Sequence, residues 1–407
     1  MVCGLLGRKL SHSYSPQIHA QLAFYSYQLF EKEPEELEAF LHSGVFSGLN
    51  VTVPYKKAVI EYLDELSPIA KRLGAVNTVV RRDGKLIGHN TDYFGFATMV
   101  KQSGLEVAGK KVLVLGSGGA SNTAVAVLEE LGAHAVVISR SGENNYSNLR
   151  LHEDAAVIVN TTPVGMYPNV GESPLSLDGF PCLEGVLDVI YNPARTKLLL
   201  DAEQRGLVAV NGLLMLVAQA KESAEWFTGH QIDDSKITAI HASLKAQMEN
   251  IVLIGVPGCG KTTVAALLAQ KLGKTAVDAD AEIEKEAGCS IPEIFASGGE
   301  DAFRKMETQV LARLGKQSGL ILATGGGCVT RVENYPHLKQ NGTLFWLQRD
   351  ISKLPTDGRP LSKASHLELM YTARKPMYQA FSDVIINNDA APEEAAQAIL
   401  RYWEGTL

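Results

Sequence analysis

Short apolar runs and longer amphipathic stretches alternate along most of the chain. From the start to about residue 100, strand-like runs at 49–53 and 78–82 mix with helical patterns such as 34–41. From about 110 to 210 the rhythm is regular. An apolar run closes on Gly116, a helical pattern starts at Ala120, and VVIS (136–139), VIVN (157–160) and VLDVI (186–190) follow. Strand–helix alternation of this kind predicts a parallel sheet covered by helices. Helical patterns then run from Leu213 to about Phe227 and from Asp234 to Met248. A last block opens with the buried-strand run Ile251–Gly255 and the helical pattern Val264–Leu272. It continues through AVD, LILATG, LFWL and DVII and closes on a helix, so it is again α/β.

At 407 residues, with 45% apolar and 20% charged residues, the chain has the make-up of a soluble protein of two or three domains. A net charge of -7 gives no electrostatic footprint for nucleic acid. No run approaches the length of a membrane span, and the N-terminus lacks the pattern of a secretory signal. Cys3, Cys182, Cys259, Cys289 and Cys328 are scattered without a C-x-x-C pair, which reads as reduced thiols and a cytoplasmic location. The join near Gln247–Asn250 is short and poor in Pro and Gly, so a long flexible tether is not expected.

Three regions carry chemistry. Gly255 to Thr262 is a complete G-x-x-x-x-G-K-[ST] loop between strand and helix patterns. Its glycines let backbone N–H groups surround a phosphate, Lys261 adds charge, and the Thr262 hydroxyl suits Mg²⁺. Gly258, Cys259, Gly260, Lys261, Thr262 and Thr263 are therefore candidate nucleotide contacts. Downstream, Asp278-Ala279-Asp280 offers one carboxylate to Mg²⁺ and one to a hydroxyl proton. Arg304 and Arg374 suit bidentate capture of a carboxylate, and Arg359 stands in a segment fit to meet a transferring phosphoryl group.

In the middle block, Gly116-Ser117-Gly118-Gly119-Ala120-Ser121 follows a strand and opens a helix, the setting of a dinucleotide pyrophosphate. The next strand ends in Ser139-Arg140-Ser141 where an NAD site places an acid, which favours NADP. Near the N-terminus, Ser11 and Ser13 lie two apart before a helix. Asn50 and Thr52 share one face of a strand, and Lys56 follows its Pro turn. Asn77 and Asn90-Thr91-Asp92 add small polar groups.

In order, LSHSYSP, NVTVPYK, GAVNT, HNTD, GSGGAS, NTTPVGM, DVIYNP and MLVAQA resemble shikimate dehydrogenase, over about residues 1–247. The resemblance implies a substrate part at about 1–105 and 213–247 and a Rossmann-type NADP part at about 106–212. It implies substrate contacts from Ser11, Ser13, Thr52, Asn77, Asp92, Tyr191 and Gln219, with Lys56 and Asp92 as the catalytic pair. Gly116, Ser117, Gly118, Gly119, Ala120, Ser139, Arg140, Ser141 and Gly212 would hold NADP(H). Ser121 and Leu213 depart from the family pattern, with minor effects expected on cofactor affinity. Residues 248–407 resemble shikimate kinase through the P-loop, D-x-D, the Phe303-Arg304 helix, GGG, RPL and Arg374 to Tyr378. That implies a P-loop domain with a parallel sheet. Shikimate would be held by Asp280, Arg304, Gly326, Gly327 and Arg374, with Lys261 and Arg359 on the transferring phosphoryl and Thr262 and Asp278 serving Mg²⁺. The stretch from Arg349 to Arg359 is shorter than lids common in that family, and Lys353 is the expected substitute for a missing adenine-stacking arginine.

Together the resemblances imply a bifunctional enzyme of the shikimate pathway. It would reduce 3-dehydroshikimate with NADPH and phosphorylate the resulting shikimate with ATP and Mg²⁺, as a monomer or homodimer with no nucleic-acid or membrane partner. The alternatives are a quinate/shikimate dehydrogenase joined to another small-molecule kinase, or a metabolite-binding regulator without activity. Because Cys259 lies inside the P-loop, alkylation is expected to inactivate the kinase and ATP to protect it.

Overall fold

A computed structural model describes residues 1–10, 13–354, 364–403 and 405. The chain divides into two compact units. The first comprises Met1–Met166, Glu172–Tyr191 and Leu198–Leu244; the second comprises Tyr167–Gly171, Asn192–Lys197 and Lys245–Leu407. The division at Leu244 falls inside the helix Ser235–Met248, so the chain passes between the units as helix.

The first unit holds two sheets. One is mixed and runs β2 (Ser26–Glu31), β1 (Val2–Gly7), β3 (Gly48–Val51), β5 (Thr78–Arg82), β6 (Lys85–His89), β4 (Glu65–Leu66). β3 pairs antiparallel with β5, which places Asn50 opposite Thr78. The other sheet is parallel, in the order β11 (Val208–Val210), β10 (Gly185–Asp188), β9 (Val157–Asn160), β7 (Lys111–Leu115), β8 (His134–Ile138). Its central strands are buried at every position but Lys111, as expected where helices cover both faces. Two helices, Asp92–Ser103 and Leu213–Thr228, pack closely together because Gly95 has no side chain. A Cβ there would stand 2.7 Å from the carbonyl oxygen of Met215. This approach brings Asp92 and Gln219, one from each helix, to the same polar region.

In the second unit all five strands are parallel, in the order β13 (Thr275–Asp278), β14 (Leu320–Ala323), β12 (Asn250–Ile254), β15 (Gly342–Gln348), β16 (Val384–Asn387). The sheet core, with Ile251, Leu253, Ile321, Phe345 and Trp346, is buried, and it holds the ends of β12, β13 and β14 in a fixed relation. Functional loops leave the carboxyl ends of these strands, where open α/β sheets bind ligands. Among the described residues no helix is long and apolar enough to cross a membrane.

Candidate active sites

Asn50 lies in the buried strand Gly48–Val51, and Thr52 follows just past its end. The chain then turns through Val53 and Pro54, joined by a cis bond, to Lys56. The carbonyl of Lys56 accepts from the Val76 N–H at 2.7 Å, tying this turn to the strand that Asn77 precedes. Lys56 Nζ donates to Asp92 Oδ2 at 2.6 Å, and both side chains are partly open to solvent. The lysine and carboxylate that the sequence pattern pairs are thus in contact.

Around them lies a buried polar network. Asn77 Nδ2 donates to Thr91 Oγ1 at 3.0 Å and to Gln219 Oε1 at 3.3 Å, while its Oδ1 accepts from the Thr91 N–H at 2.7 Å. Asn50 Nδ2 donates to Ser223 Oγ at 2.7 Å, and Thr78 Oγ1 lies 2.9 Å from the same hydroxyl. With most of their capacity used internally, these groups hold Asn77 and Gln219 in set orientations. Sequence reading did not single out Thr78 or Ser223. The available signal is a small polar residue one helical turn beyond Gln219 on an apolar face, where the Ser223 hydroxyl donates to the Gln219 carbonyl at 2.9 Å. Ser13 Oγ accepts from the Ser15 N–H at 3.2 Å at the start of the first helix, and Ser11 lies outside the described residues. Tyr14 meets Tyr191 edge to face with ring centres 6.1 Å apart.

The dinucleotide loop has the shape its glycines predict. Gly116 has φ 108°, and a Cβ on it would stand 2.9 Å from Thr161 Oγ1. Ser117, Gly118 and Gly119 are exposed at the start of the helix Gly119–Glu130, where nothing would meet a Cβ on either glycine. Unpaired N–H groups and open space at a helix start suit a pyrophosphate. Ala120 is half-buried and Ser121 wholly buried, so the serine replacing the third glycine is a packing residue. Ser139, Arg140 and Ser141 follow β8, with Arg140 and Ser141 exposed. Gly212 is buried, and a Cβ there would stand 2.1 Å from the Val189 carbonyl oxygen. Asn160 and Asp188, neighbours at two strand ends, were legible only as parts of motifs. Asn160 Nδ2 donates to Asp188 Oδ1 at 3.1 Å, and its own Oδ1 accepts from the Thr162 hydroxyl at 2.7 Å.

In the second unit the P-loop turns through Gly255, Gly258 and Gly260, all with positive φ. Lys261, 8% exposed, folds inward and donates to the carbonyls of Gly255 at 2.8 Å and Val256 at 3.0 Å. A cleft of 490 Å³ opens over the loop, lined by Gly258, Lys261, Thr262, Thr263, Asp278 and Asp280 among others. The Thr262 hydroxyl donates to Asp278 Oδ2 at 2.7 Å, a hydroxyl–carboxylate pair suited to Mg²⁺. Asp278 also caps the following helix, its Oδ1 accepting from the Asp280 N–H at 3.0 Å. Asp280 Oδ1 is buried without a partner, and burial followed by the charge of Asp278 raises its pKa. An unmatched acceptor of raised basicity is what a hydroxyl substrate meets in a general base.

Three glycines bring backbone against this carboxylate and its neighbours. A Cβ on Gly325 would lie 2.7 Å from both Asp280 Oδ1 and Glu307 Oε1, and one on Gly327 would lie 2.1 Å from Arg304 Nη2. The Gly326 carbonyl accepts from Arg374 Nη1 at 3.2 Å and from the Tyr378 hydroxyl. Arg304, Arg374, Gly326, Gly327 and Asp280 therefore surround one region. Arg359 lies outside the described residues. Lys353 donates to the Asp389 carbonyl at 3.4 Å. Two residues that sequence reading missed flank the loop: Asn388, whose amide donates to the Cys259 carbonyl, and Arg349, whose Nη1 lies 4.0 Å from a Cβ built on Gly260. The Cys259 thiol is wholly buried, so an alkylating reagent reaches it only if the loop opens.

Comparisons with known proteins match both halves of the chain. The family model for the shikimate dehydrogenase substrate binding domain matches residues 5–79, and that for shikimate kinase matches residues 257–404. Shikimate dehydrogenase (NADP(+)) of Clostridium perfringens is 37% identical over 268 residues, covering 60% of this chain and 98% of its own. Among solved structures, shikimate dehydrogenase 1 of Peptoclostridium difficile is 40% identical with a TM-score of 0.55, covering 60% of this chain and 97% of that one. The Thermus thermophilus shikimate 5-dehydrogenase in complex with NADP(H) and shikimate is 32% identical with a TM-score of 0.55, over 60% of this chain and 99% of that one. Over its N-terminal three-fifths the chain thus belongs to the shikimate dehydrogenase family, and behind that it carries a shikimate kinase domain.

Proposed function

We propose that the chain carries out two consecutive reactions: reduction of the 3-keto group of 3-dehydroshikimate, and phosphorylation of the hydroxyl so formed. When bound, NADPH supplies the hydride and ATP with Mg²⁺ supplies the phosphoryl group and charge neutralisation. In the first reaction the Lys56 ammonium gives its proton to the developing alkoxide, and Asp92 orients it. The contact between them, at 2.6 Å, carries this reading. Asn77, Gln219, Thr52 and the serines before the first helix bind the hydroxyl and carboxylate groups of the substrate. Ser117 to Ala120 receive the pyrophosphate, and Arg140 with Ser139 and Ser141 receives the 2′-phosphate.

In the second reaction Asp280 takes the proton of the attacking hydroxyl, and Arg304 and Arg374 hold the substrate carboxylate. Lys261 stabilises the transferring phosphoryl, Thr262 and Asp278 would hold Mg²⁺, and Arg349 faces the nucleotide from the Gly260 side. The orphaned Oδ1 of Asp280, pointed into the region that Arg304 and Arg374 border, supports this assignment. We infer a cytoplasmic enzyme acting as a monomer or homodimer. The test is product analysis by mass spectrometry after supplying 3-dehydroshikimate, NADPH, ATP and Mg²⁺. Shikimate 3-phosphate that disappears when either nucleotide is withheld is the expected result. Shikimate as the final product would reject the kinase assignment.

A further inference from the structure

Arg304 is only 7% exposed, so its charge must be answered in every state of the enzyme. Two carboxylates answer it in different ways. Glu307, wholly buried, accepts from Nη1 at 2.7 Å. Glu300 accepts from Nε at 3.3 Å and from Nη2 at 3.2 Å, both through one oxygen, and its side chain is 62% exposed. The Nε and Nη2 edge of a guanidinium presents two parallel N–H groups to a bidentate carboxylate. With Nη1 committed to Glu307, the edge suited to an incoming carboxylate is the one that Glu300 holds by long, single-oxygen contacts.

Glu300 stands at a break in its helix. It follows Gly299, whose φ of 71° and ψ of -175° break the helix Ile291–Gly315 into two segments. Side chains rarely adopt that conformation, so the break belongs to the glycine. Glu300, Asp301, Arg304 and Arg331 line a hollow of 360 Å³ beside the break, where Arg331, donating to Asp301 Oδ1 at 2.6 Å, places a second cation near a displaced carboxylate.

We propose that Glu300 is an internal competitor for the substrate carboxylate in the kinase site. It neutralises the free edge of Arg304 until the carboxylate of shikimate displaces it. One carboxylate leaves as another arrives, so the buried guanidinium never stands uncompensated, and substrate affinity is lowered by what the Glu300 contact is worth. For a pair on adjacent helical turns whose carboxylate stays open to water, that is about two- to fivefold. The inference rests on the assignment of Arg304 to the substrate carboxylate. A purely structural role for Glu300, holding Arg304 in place, predicts the opposite sign.

The experiment uses the full chain, with shikimate phosphorylation followed in the absence of NADP(H). Glu300→Gln and Glu300→Ala are each expected to lower KM for shikimate about two- to fivefold, with kcat and KM for ATP unchanged. Thermal unfolding of both variants checks that the kinase fold is intact. A KM that stays constant or rises in either folded variant overturns the proposal. Arg304→Lys is measured alongside. If it raises KM while the Glu300 variants fail to lower it, Arg304 binds the substrate and Glu300 does not compete. If Arg304→Lys leaves KM unchanged, the assignment of Arg304 itself fails.

Discussion

Replacing Lys56 by Met removes the proposed proton donor while keeping most of its aliphatic stem. Positioned general acids contribute about 10²–10⁴-fold, which corresponds to about 3–5 kcal/mol in the barrier. The cost to stability is far smaller. The Lys56 side chain is 30% exposed and that of Asp92 15%, so water still reaches the carboxylate left behind. Pairs of this openness are worth up to about 1 kcal/mol. Asn77 and Gln219, the proposed substrate contacts, are held by hydrogen bonds to Thr91 and to each other that do not pass through Lys56. The loss is therefore expected in kcat for 3-dehydroshikimate reduction, with little change in KM. The assay is steady-state NADPH oxidation, and shikimate phosphorylation by the same preparation serves as a control for folded protein. A fall in kcat below tenfold, or a parallel fall in kinase activity, would refute the reasoning.

Asp280→Asn is expected to abolish phosphoryl transfer and yet raise the melting temperature. Burial raises the pKa of Asp280 above its unfolded value, so the ionised form costs stability at high pH. The gain from Asn is full above the raised pKa and shrinks as pH falls toward the ordinary aspartate range; a gain independent of pH in melting curves would contradict this. Arg140→Ala should weaken NADPH far more than NADH, by about 10–100-fold in KM, as expected for a lost charge-assisted contact; equal losses for the two cofactors would remove Arg140 from the 2′-phosphate. Arg349→Ala should raise KM for ATP and leave KM for shikimate unchanged, read from kinase kinetics with each substrate varied; an unaltered KM for ATP would detach Arg349 from the nucleotide.

Much of this protein was legible in the sequence because its chemistry sits on short segments. The P-loop packs strand, glycines, lysine, threonine and helix into one stretch, and each glycine has the positive φ that its position in the motif predicts. Gly116 to Ala120 and the turn that carries Lys56 are likewise short segments, and Gly116 has a positive φ. Parallel-sheet alternation was visible because strands buried on both faces read as unbroken apolar runs. Partnerships across long separations were decided only by tertiary structure. Asn50 meets Ser223 across 173 positions, Asn77 meets Gln219 across 142, and Asn388 meets Cys259 across 129. No local pattern encodes such pairs, since they exist only once Gly95 lets two helices approach or β16 brings its end beside the P-loop. The same reason hid the state of Arg304. Sequence supplies Glu300, Arg304 and Glu307 at helical spacing. Burial decides that Glu307 is locked against the guanidinium while Glu300 remains exposed at its open edge.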